Sequence, residues 1–104
     1  MHMGTVITLP REVTSRSAAR RLITGAGDSD IVLDAARLER ATAGATDELV
    51  RKLLASDPQR VIVVNAGAAF QRMLLVVHRA RARPERTFLL TFQTVPAEAL
   101  LRPA

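Results

Sequence analysis

Apolar and polar positions alternate in short blocks along this chain. Thr5-Val6-Ile7-Thr8-Leu9 alternates β-branched residues and stops at Pro10, which predicts a strand. In the following Thr14-to-Gly25 segment, Ala18 and Leu22, or Ala19 and Ile23, share one face at i, i+4 spacing. That spacing predicts a short helix, with Thr14 or Ser15 as its cap, Gly25 as its stop and Arg16, Arg20 and Arg21 towards solvent. Gly27-Asp28-Ser29-Asp30 reads as a turn. Ile31-Val32-Leu33, ending in Asp34, is unbroken and apolar, the pattern of a strand buried on both faces.

The segment Ala36 to Ala43 reads as a loop anchored by Leu38. A second helix opens at Gly44-Ala45-Thr46-Asp47-Glu48, carries Ala45, Leu49 and Leu53 as its core stripe, and ends at Asp57-Pro58. Its early acids Asp47 and Glu48 suit the positive end of the helix dipole. Val61-Ile62-Val63-Val64 is a further strand, closed by Asn65. A third helix spans about Ala68 to Arg81, with Phe70, Met73 or Leu74, and Val77 on its apolar face. After Arg83-Pro84-Glu85, Thr87 to Phe92 reads as the last strand, and 97–101 as a loose helical turn. The resulting order, β-α-β-α-β-α-β, predicts one α/β domain with a mostly parallel sheet over residues 5–95, followed by a tail over 96–104.

Composition narrows the chemistry. Of the 15 basic residues only Lys52 is not arginine, and the net charge is +5. There is no cysteine, which excludes disulfides, thiolate metal sites and thiol nucleophiles. No apolar run approaches a membrane span, and Met1–Gly4 lacks the pattern of a signal peptide; its second Met suggests vector-derived residues. A cytoplasmic protein is the expectation. The only aromatics are Phe70, Phe88 and Phe92, too few for a stacking platform, so the basic run His78 to Arg83 argues for a helix end rather than a nucleic-acid interface. His78 reads as a boundary residue of that helix. No phosphate-loop, dinucleotide or nucleophile-elbow motif is present. The expectation is a non-enzyme without cofactor or metal.

Three stretches together resemble the STAS-like domain family, bacterial relatives of the sulfate transporter and anti-sigma factor antagonist (STAS) domain. Thr14-Ser15-Arg16-Ser17-Ala18-Ala19-Arg20-Arg21-Leu22 is similar to its S-R-S-x-A-K-R-L helix. Ile31-Val32-Leu33-Asp34, then Gly44-Ala45-Thr46-Asp47-Glu48-Leu49, resembles its L-D strand, loop and G-x-A-D-E-L helix start. Val61-Ile62-Val63-Val64-Asn65-Ala66 is similar to its V-x-N-A strand end. The resemblance implies a mixed sheet of four or five strands with helices mainly on one face. It also implies a regulatory protein-interaction domain. In anti-sigma factor antagonists, the loop and helix after the L-D strand form the working surface. A Ser or Thr there is phosphorylated by a histidine-kinase-like ATPase, which the unphosphorylated form binds, freeing a sigma factor.

Here Ala43 stands at the usual acceptor position, leaving Thr42 and Thr46 as substitutes or simply as helix caps. The implied partner surface comprises Asp34, Thr42, Gly44, Thr46, Asp47, Glu48 and Arg51. Two other readings follow from the residues alone. Asp34, Asn65 and Glu48 could converge at the strand C-terminal edge, in a small-ligand site or an accessory subunit of an enzyme. Alternatively, a homodimer could form through the last strand, where Phe88 and Phe92 share a face.

Overall fold

The structure is a computed structural model that describes residues 5–24 and 30–96. Met1–Gly4, the Gly25 stop, the turn at 27–29 and the helical turn at 97–101 lie outside the described residues. The elements run β1 (Thr5–Thr8), β2 (Glu12–Val13), α1 (Arg16–Leu22), β3 (Ile31–Asp34), β4 (Arg40–Ala41), α2 (Ala43–Ser56), β5 (Arg60–Val64), α3 (Ala68–Arg81) and β6 (Leu89–Gln93).

The helix boundaries follow from local chemistry. Ser15 caps α1, its hydroxyl accepting from the Ala18 amide at 3.0 Å. Thr42 caps α2 in the same way through the Ala45 amide at 3.2 Å. α2 ends where Asp57 turns left-handed at φ 57° and Pro58 follows, a residue that cannot continue the amide ladder.

The four-stranded sheet has the order β1-β3-β5-β6, and its three pairings are parallel, not mixed. The alternation of strands and helices foretold this; the mixed sheet implied by the family resemblance is not what forms. Each new strand is added on the same side of the last, and right-handed crossovers then carry α1, α2 and α3 over one face. α1 packs on α2, and α2 on α3.

The register aligns Ile7, Leu33, Val63 and Phe92 in one row, and Ile31, Val61 and Leu90 in another. These rows meet Ala19, Leu49, Leu53, Phe70 and Leu74 from the helices, and Ile23 from the end of α1, in a single core. Burying a side chain of this size contributes about 1.5–3 kcal/mol. Val32 and Ile62, on the opposite face, are only partly covered and Val6 is exposed. The expectation of strands buried on both faces therefore fails, because three crossovers of one hand cannot cover the second face. Among the described residues no helix is long and apolar enough to cross a membrane.

Candidate functional site

The strand order never reverses, so the sheet has no crevice of the kind found at a topological switch point. A cleft arises at the strand C-terminal edge by another route. The chain segments that follow β1 and β3 keep running side by side and pair as the short parallel ladder β2–β4. The Arg11 carbonyl accepts from the Glu39 and Arg40 amides at 2.8 and 3.0 Å, and the Val13 carbonyl from the Thr42 amide at 3.1 Å. This ladder holds Leu38 to Thr42 opposite the start of α3, across a cleft of about 370 Å³. Leu38, Ala41, Phe70 and Met73 supply its apolar lining. Thr14 and Thr42 supply hydroxyls, and Gly67 and Ala69 bring the start of α3 to it. Glu39 and Arg40 line it too and are engaged in exposed ion pairs with Arg11 and Glu12.

The residues anticipated as a partner surface divide into distinct environments. Thr42 is exposed, caps α2 and borders the cleft. Thr46 does not belong to the surface. It is 0% exposed, its hydroxyl donating to the Thr42 carbonyl at 2.8 Å and lying 3.6 Å from the Met73 sulfur. A buried hydroxyl of this kind can meet neither a kinase nor a partner, so both expectations for Thr46 are overturned. Its spacing carried the signal: Thr46 precedes Leu49, Val50 and Leu53 by three, four and seven residues, on the buried stripe.

Asp47 and Glu48 are likewise committed within the molecule. Asp47 is only 13% exposed. It accepts from Arg81 of α3 at 2.8 and 3.1 Å and from Arg16 of α1 at 2.8 Å. Hydrogen bonds from Arg81, followed by those from Arg16, hold its carboxyl below the ordinary carboxylate range, against the opposing effect of burial. Glu48 pairs with Arg16 at 3.4 Å and with Arg20 at 3.9 Å. Arg16 and Arg20 thus bridge helices instead of projecting freely into solvent. The Arg16 guanidinium also lies over Gly44, 3.8 Å from where a β-carbon would stand. Arg51 is exposed on α2.

Asp34, Asn65 and Glu48 are each engaged by separate contacts. The Asp34 carboxylate accepts from the Ala36 amide at 3.1 Å, a local turn. Asn65 sits at φ 60° and its side-chain oxygen accepts from the Val95 amide at 3.0 Å, securing the segment after β6. Neither these two residues nor Glu48 lines the cleft. Phe88 is buried and Phe92 packs against the core, so both aromatics face inward, while β6 forms an edge of the sheet. His78 is half-buried, its ring 4.5 Å from that of Phe88. Among the described residues no group of acids and histidines could hold a metal ion. Comparison with protein-family models, curated proteins and solved structures finds no match for this chain.

Proposed function

We propose that this chain is a regulatory protein-interaction domain of STAS-like type, without catalytic activity, which docks a partner protein over the Leu38–Gly44 segment. The observation that carries this reading is the cleft beside that segment, apolar through Leu38, Phe70 and Met73 and bordered by the exposed Thr42. An apolar side chain of the partner seats there, and the partner is of the histidine-kinase-like ATPase or anti-sigma factor kind implied by the resemblance.

Thr42 is the remaining candidate acceptor for a phosphate. A phosphate there would sit at the start of α2, where the helix dipole favours negative charge. Repulsion from Asp47 and Glu48 is offset by their arginine partners. Titration of the purified domain with histidine-kinase-like ATPases encoded beside its gene tests the reading. Binding that is lost in Leu38→Asp and retained in Arg21→Glu is the expected result; no binding to any of them counts against it.

The cleft volume also falls within the range of small-molecule sites, roughly 300–1,000 Å³. A small-ligand role at this edge is therefore the second reading, built on the cleft rather than on Asp34, Asn65 and Glu48. Thermal-shift screening against a metabolite panel separates the two: a stabilising compound whose effect is abolished by Leu38→Asp, with no protein partner found, selects the ligand.

A further inference from the structure

The third helix has a second face that the fold leaves uncovered. α3 lies at one edge of its layer, and its main helix contact is with α2. Arg72, Leu75, Val76 and Arg79 follow at i, i+3, i+4 and i+7 and are all exposed. Leu75 is 45% and Val76 68% exposed, large aliphatics open to water between two guanidinium groups. α3 contains no acidic residue. Its other arginine, Arg81, turns to the opposite side and is bound by Asp47. Among the described residues, Arg72 and Arg79 have no carboxylate partner, in contrast to Arg16, Arg20, Arg60 and Arg81.

We propose that this face docks an acidic amphipathic helix of a partner protein. Arg72 and Arg79 are seven residues apart, about 10.5 Å along the axis. Two carboxylates at the same spacing on a parallel or antiparallel helix meet both, and an aliphatic pair between them covers Leu75 and Val76. Charge complementarity selects this occupant. The described residues of a second copy do not supply it, because their exposed acids Glu12, Glu39, Asp57 and Glu85 lie in loops, short strands or caps, not along a helix face. The face has no aromatic side chain on which a nucleic-acid base could stack. The surface is separate from the residues that carry the cleft's apolar lining, and it stands or falls independently of the cleft.

A synthetic helical peptide with two glutamates seven residues apart around a leucine pair serves as the probe, titrated by calorimetry into the full chain. The expected result is binding that weakens about tenfold or more in Arg72→Glu/Arg79→Glu and in Val76→Ser, because paired charges and central apolar contacts carry such interfaces. Arg21→Glu/Arg37→Glu, which changes net charge equally elsewhere, and Leu38→Asp, in the cleft, are expected to retain full affinity. Equal loss in the Arg21/Arg37 variant would mean unspecific charge attraction and overturn the proposal. Loss in Leu38→Asp would move the site to the cleft and overturn it too. Unchanged binding in Arg72→Glu/Arg79→Glu does the same, as does stronger binding to duplex DNA or to vesicles with about 30% phosphatidylserine.

Discussion

Removing the Asp47 carboxylate should loosen all three helices at once. Asp47→Ala deletes three charge-assisted hydrogen bonds, two to Arg81 and one to Arg16, through which α2 joins α3 and α1. Deleting one partner of a fully buried ion pair costs about 3–5 kcal/mol, because the other charge stays stranded. Here Arg16 keeps Glu48 as a partner, Arg81 loses its own, and at 48% and 45% exposed both can turn to water. The exposed limit therefore governs, at up to about 1 kcal/mol for the site as a whole. For a domain of this size that lowers Tm by about 4–8 °C per kcal/mol.

The pH dependence carries the sharper test. The folded carboxyl titrates below its ordinary value of 3.8. Its contribution is thus present in full above 3.8 and is lost as pH falls through the folded value. Urea denaturation followed by circular dichroism, on wild type and Asp47→Ala, should show a constant stability gap from about pH 7 to pH 5 that closes in stronger acid. High salt should narrow it. No gap at neutral pH, or a gap that persists unchanged in acid, refutes the assignment of the carboxylate as the clasp.

The two threonines should separate cleanly. Thr42→Asp keeps a capping oxygen and should leave Tm nearly unchanged, whereas Thr46→Asp buries a charge without a partner and should prevent cooperative unfolding in thermal melts. Thr46→Val, which loses the bond to the Thr42 carbonyl and the weaker contact with the Met73 sulfur, should cost about 1 kcal/mol in denaturant titrations. His78 supplies a separate pH signature. Burial lowers the tendency of its ring to take up a proton, against a raising contribution from the Phe88 backbone. Its folded pKa therefore lies below 6.5, so stability is full above 6.5 and declines as pH falls through that value towards the folded one. Denaturation between about pH 7.5 and 5.5 should show this decline in wild type and not in His78→Phe.

Local signals in the sequence account for the main elements. Caps, breakers and apolar spacing mark α2 and α3 to within a residue or two, because each depends on neighbours a few positions away. The pairs Glu12–Val13 and Arg40–Ala41 escape such signals. Two residues have no periodicity, and these become strands only because β1 and β3 deliver their chains side by side. The degree of cover was equally non-local. Val32 and Ile62 look like doubly buried positions, yet their exposure is decided by which face the three helices occupy. Met73 to Val77 is an unbroken apolar run, and nothing within it says that Leu75 and Val76 remain open on an edge helix.

The candidate site shows the same division, with a consequence for function. Asp47 and Glu48 stand where a signalling surface would carry exposed acids, but their arginine partners lie 28 to 34 positions away, beyond any local pattern. These acids, and Asp30 with Arg60, are neutralised within the molecule, so the charge of +5 is carried by other side chains. It rests on basic side chains without such partners, Arg21, Arg37 and Arg51 on other elements and Arg72 and Arg79 on α3. An evenly basic protein attracts polyanions indiscriminately. With the acids of α2 committed inside the helical layer, Arg72 and Arg79 flank the exposed Leu75 and Val76 without competing carboxylates, and the proposed acidic helix would be selected there by shape as well as by charge.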